Sequence, residues 1–341
     1  MSIKLKKPVF YKTFIQQGFF PESNKVTKYA ESATYWIFKT GHEIYKIKKP
    51  FEKASSSHLD ELFCKETIRV SNLHSPTLNA RVLKVVADNS GYNLENIDST
   101  THPVYYCIVM KQLSEPYFVN QLIDKNKLTA AVIEKIVPFL VEFHKKSKRS
   151  TSEESGSVSF LTNKINDLFY QSKKFLNQTI TQPICDRCFF PMEKYLQTQK
   201  KIFSKRIKKK LICEIHGNFI PPKIHVQGKL VQALAASQHP LKIKYGDIAC
   251  DLADFVIDLK LEGHQDLAAA FVDQYIQESN DKDLKTILPF YLSLRCFSKG
   301  LENSILMSLT TGEKSDTYKK IALKSYEQSI VEIKGLTTIS S

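Results

Sequence analysis

The turn His216-Gly217-Asn218 follows the apolar stretch Leu211 to Ile215 and leads into Ile220-Pro221-Pro222-Lys223. Histidine titrates near neutral pH, so His216 has the chemistry of a general base. Asn218 does not, because a neutral amide orients a hydroxyl but cannot take its proton. The two prolines fix the backbone and remove two N–H donors, and Lys223 adds positive charge. Between Asn218 and Gln238 there is no Asp or Glu. Hard divalent cations take anionic oxygens, so this segment offers Mg²⁺ no ligand. A second candidate is Cys185-Asp186-Arg187-Cys188. A structural zinc needs a second pair of ligands at similar spacing, and none follows. The seven cysteines are odd in number and scattered, which suits reduced thiols rather than a disulfide framework.

Basic residues form a third group. The densest run, Lys200 to Lys210, holds Ile202, Phe203 and Ile207, which fall on one face of a helix with the charges solvated on the other. The net charge of +14 attracts anions in general, but no nucleic-acid motif accompanies it.

These residues need elements to hold them. A chain of 341 residues, 42% apolar, is long enough for a two-lobed unit or two domains. No apolar run is long enough to span a bilayer, and no signal-peptide stretch opens the chain, so a cytoplasmic location is expected. Tyr35 to Pro50 reads as two short strands turning at Thr40-Gly41-His42. Along the second, Ile44 and Lys46 alternate with Tyr45 and Ile47. Ser57 to Leu73 has a helical rhythm, and Arg81 to Val86 and Val104 to Met110 read as strands. Beyond Leu113 the texture becomes helical: Leu128 to His144, about 160–175, 189–207, and the tail from Asp251. Leu211 to Ile215 and Lys229 to Ala235 read as short strands. A β-rich part over 1–110 followed by a mostly helical part over 111–341 predicts an α+β fold of two lobes.

In this order the residues resemble a known family. Glu31 to Phe38, then Ile44 to Pro50, is similar to the opening of bacterial aminoglycoside-phosphotransferase-like kinases, within the protein-kinase-like superfamily. Val109-Met110-Lys111-Gln112-Leu113, followed by Phe143-His144, resembles that family's inter-lobe linker and first C-lobe helix. Ile212 to Gly217 stands where members carry a strand and a His-Gly-Asp catalytic loop. Asp247 to Phe255, with Leu288 to Leu292, resembles their C-terminal helices. The likeness covers roughly residues 28 to 300.

The resemblance implies roles, and some of them fail. A strand lysine meets nucleotide phosphates: Lys46 is the first choice and Lys48 the alternate, both pointing away from Tyr45 and Ile47. Glu66 is the implied helical partner, although an alignment one residue later puts Thr67 there. Met110 and Leu113 would line the nucleotide. The family's base aspartate is replaced by Asn218, its Mg²⁺-binding asparagine by Lys223 and its metal-binding aspartate by Ala235, with Gln238 three positions on. Asp247 and Asp251 match positions read as structural. The expectation is a catalytically impaired pseudokinase serving as a binding or scaffold module. ATP would bind weakly or without metal, Mg²⁺ would not bind, and the partner would be a small anionic ligand or a protein. Two alternatives stand beside it: an active phosphotransferase acting on a small-molecule hydroxyl, recruiting Glu214, Asp247 or Asp251, and a basic nucleic-acid or acidic-partner binding protein.

Overall fold

The computed structural model describes residues 8–16, 19–20, 26–32, 34–49, 57–89, 91–152, 154–234 and 245–339. The chain divides into two compact units, with the boundary between Tyr117 and Phe118 and a segment beginning at Gln232 grouped with the first.

The first unit opens with α1 (Tyr11–Gln16), β1 (Lys28–Glu31), β2 (Tyr35–Lys39) and β3 (Glu43–Lys48). It continues through α2 (Ser57–His74), β4 (Arg81–Asp88), β5 (Gly91–Asn96) and β6 (Tyr105–Lys111). The strands form one antiparallel sheet in the order β1-β2-β3-β6-β4-β5. The β2–β3 hairpin turns at Gly41, whose φ of +95° a Cβ would strain. Strand alternation sorts the two faces. Tyr45, Ile47, Cys107 and Val109 join an aromatic cluster with Phe10, Phe14, Phe20 and Phe38. Tyr106, Ile108 and Met110 face the other way, with Phe63 and Cys64 of α2. Burial on both faces explains why Tyr105 to Met110 reads as a continuous apolar run rather than an alternating one.

The second unit holds α3 (Val119–Asp124), α4 (Ala130–Lys146), α5 (Val158–Ser172), α6 (Gln182–Thr198) and α7 (Lys200–Lys208). Short strands follow: β7 (Ile212–Glu214), β8 (Ile224–Gln227), β9 (Leu230–Ala233) and β10 (Tyr245–Asp247). Four helices close the chain: α8 (Ala249–Leu261), α9 (Gln265–Ser279), α10 (Leu284–Ser308) and α11 (Glu313–Ile339). α8 is buried around nearly its whole circumference, which marks it as the central helix of this unit. Among the described residues no helix is long and apolar enough to cross a membrane. The structure therefore has the expected β-rich part and helical part.

Some details differ from the sequence expectation. β5 and β8 were not anticipated, because Asn93, Glu95, Gln227 and their flanking turn residues dilute the strand pattern. The helical stretch read over 189–207 is two helices divided at Gln199, and the basic run lies on the second, α7. Within it Arg206 is fully buried rather than solvated.

Candidate functional site

In the first unit, β3 turns Lys48 toward α2. Its side chain is 2% exposed, and its ammonium lies 3.4 Å from Asp60 Oδ1 and 5.1 Å from the centroid of the Phe63 ring. It also donates to the Lys49 carbonyl. Burial pulls the Lys48 pKa down, and the Asp60 charge resists. Burial likewise pushes Asp60 up against the pull of Lys48. Lys46 lies two residues earlier on the same face and is half-buried. Glu66 makes a two-point contact with Arg69 on its own helix, at 2.8 and 3.0 Å. A helical carboxylate against Lys48 is Asp60, which was not named from the sequence. The signal was present: Asp60 precedes the buried Phe63 and Cys64 by three and four residues, which puts all three on one helical face. Met110 sits in the cluster with Phe63, and Leu113 is buried just beyond β6.

In the second unit, β7 pairs antiparallel with β10 and delivers the chain to the His216 turn. Gly246 lets the two strands close on that turn, since a Cβ there would lie 2.8 Å from the Ile215 side chain. Gly217 takes φ +69°, a left-handed conformation suited to glycine. The turn is held from below by α8. Asp251 Oδ2 accepts from the His216 amide and Oδ1 from the Gly217 amide, each at 2.7 Å. His144 Nε2 lies 3.0 Å from Oδ2, and its Nδ1 is 2.6 Å from the Tyr275 hydroxyl. Burial alone would raise the Asp251 pKa; the His144 hydrogen bond, His216 and the amides hold it below the usual carboxylate range.

Asp247 is bound as tightly. Arg206 Nη2 donates to Asp247 Oδ1 at 2.8 Å, and Arg206 Nη1 donates to Asp281 at 2.9 and 3.1 Å. Asp247 Oδ1 also accepts from the Ala249 amide at 2.9 Å, capping the entry to α8. The arginine and both carboxylates are buried. Sequence could not show the Arg206 clamp, because its partners lie 41 and 75 residues away.

The side chains left on the turn are neutral or basic. His216 is 4% exposed and packs edge-on against Phe219. Asn218 is half-buried. Lys223 closes the short turn Pro221–Lys223, and burial lowers its pKa. Ala235 and Gln238 lie outside the described residues. Among the described residues no group of three His, Cys, Asp or Glu side chains is arranged to hold a metal ion. All seven cysteines are free thiols, with Cys185 and Cys188 buried along α6.

No family model and no curated protein matches the chain. Solved structures do. Apo aminoglycoside phosphotransferase APH(4)-Ia, a thermostable mutant, superposes with a TM-score of 0.54 at 8% identity, covering 91% of this chain and 95% of that one. A ternary complex of a mutant of the same enzyme with ADP and hygromycin B gives 0.55 at 9%, covering 96% and 98%. A complex with AMP-PNP and hygromycin B gives the same values. The chain therefore has the kinase-like phosphotransferase fold that its motifs resembled.

Proposed function

We propose that this protein is a catalytically impaired kinase-fold protein, a pseudokinase that acts as a binding or scaffold module. One observation carries the proposal. Residues 215–246 contain no Asp or Glu, and the carboxylates bounding that gap are already engaged or enclosed. Asp251 is spent on the His216 and Gly217 amides and on His144. Asp247 is spent on Arg206 and the α8 entry. Glu214 is only 4% exposed. An active phosphotransferase that recruits one of them for Mg²⁺ would have to break a buried network, and removing one partner from such a network costs about 3–5 kcal/mol.

Without a carboxylate base the turn gives up the roughly 10²–10⁴-fold that general base catalysis supplies. Nucleotide binding is a separate matter. The structural neighbours hold ADP and AMP-PNP, and the half-buried Lys46 of β3 offers a positive charge for phosphate oxygens. ATP would bind weakly and without metal. Hygromycin B occupies the neighbour, but a cationic aminoglycoside suits a chain of net charge +14 poorly; a small anionic ligand or an acidic protein partner suits it better.

The test is ATP turnover with Mg²⁺, with and without small-alcohol acceptors. We expect none above background. Turnover that disappears in Lys46→Ala or Lys48→Ala would refute the proposal.

A further inference from the structure

A cavity of about 280 Å³ opens in the second unit. Pro221 and Pro222 contribute to its wall, but His216, Asn218 and Lys223 do not. Ile123 of α3, Leu261 at the end of α8 and Ile321 of α11 supply apolar surface. Asp258 and Lys299, also in the wall, form an ion pair with each other.

Four more charged groups border the space: Asp124 ends α3, Glu262 follows α8, and Lys320 and Lys324 project from α11. Asp124 accepts only a 3.3 Å contact from Gln121, and the Lys324 ammonium donates to the Leu261 carbonyl. Among the described residues none of the four has an ion-pair partner. Two negative and two positive groups thus border one apolar-walled cavity without neutralising each other.

A ligand of single charge would meet as much repulsion there as attraction. A ligand with one ammonium and one carboxylate would answer both pairs, its spacer covering the apolar wall. At ~30 Å³ for each water, the space holds on the order of ten water volumes, which limits the occupant to amino-acid size. We infer that this cavity is a binding site for a small zwitterion bearing an ammonium and a carboxylate. It does not depend on the chemistry of the His216 turn, so its failure would leave the pseudokinase proposal intact.

Titration calorimetry on the full chain with linear ω-amino acids, from glycine to 6-aminohexanoate, tests this beside butylamine and butyrate. At least one ω-amino acid should bind roughly tenfold more tightly than either singly charged probe. Lys320→Ala and Glu262→Ala, both at exposed positions, should each weaken it about fivefold without shifting the melting temperature. Three outcomes would overturn the inference: no ω-amino acid binding up to about 10 mM, butylamine or butyrate binding equally well, or undiminished affinity in both variants.

Discussion

Asp251 shows how a carboxylate is withdrawn from chemistry by being made structural. Its two oxygens accept from two amides and face one imidazole, and an asparagine has only one oxygen to offer them. Asp251→Asn should therefore destabilise the fold by about 2–4 kcal/mol in urea melts. A change below ~0.5 kcal/mol would mean that the turn does not depend on it. One turn along α8, Asp254 sits 2.6 Å from Arg295 Nε. Burial pushes its pKa up to about 7, with Asp251, Asp258 and Glu302 adding to the rise and Arg295 opposing it. The raised value means that folding favours the protonated form. Its stabilisation is complete below the ordinary carboxylate pKa of about 3.9 and shrinks as pH rises toward 7. Melting temperature from pH 4.5 to 8 should carry this downward component, and Asp254→Asn should flatten it; an unchanged profile would count against it. The residues of the His216 turn were legible because their types and order are local. Asp60 was not singled out and His144 was noted only as part of a helix, because a side chain's role is set by a partner that sequence does not place beside it.

The elements carry their own tests. α7 was read as an amphipathic helix with a solvated charged face, and Lys205 and Lys209 fit that, reaching Asp283 from the surface. Arg206 breaks the pattern, because two buried carboxylates offset the desolvation of its guanidinium. Arg206→Met should strand both acids and cost about 3–5 kcal/mol. Lys205→Ala should stay within about 0.5 kcal/mol, and similar losses in both would contradict the clamp. α10 and α11 approach closely at Gly300, where a Cβ would fall 2.6–2.8 Å from the buried Tyr326 ring. Gly300→Ala, normally favourable in a helix, should here destabilise by about 1–3 kcal/mol. A gain in stability would show that the helices can part at little cost. The longer helices and the β2–β3 hairpin were legible from periodicity and turn residues. The short strands β7 and β9 were legible as apolar runs, whereas β8 is defined by its pairing with β9, which periodicity does not report.

At the scale of the molecule, the division into a β-rich and a helical part was legible, because composition and periodicity change together along the chain. The chain's +14 charge belongs to this scale too. Without a nucleic-acid site it should give only weak, non-specific DNA binding that collapses between ~50 and ~200 mM salt. Sub-micromolar binding of a short duplex at ~150 mM would assign the basic surface a role of its own. The central claim, loss of the base and metal site from a kinase-like fold, is tested most directly by thermal shift. Wild type and the double variant Asn218→Asp/Ala235→Asp should be melted with ATP, with and without Mg²⁺. A ligand bound only to the native state raises the melting temperature by mass action. Wild type should show the same small shift with and without Mg²⁺, and the restored variant a larger shift that requires Mg²⁺. A Mg²⁺-dependent stabilisation of the wild type would contradict the account.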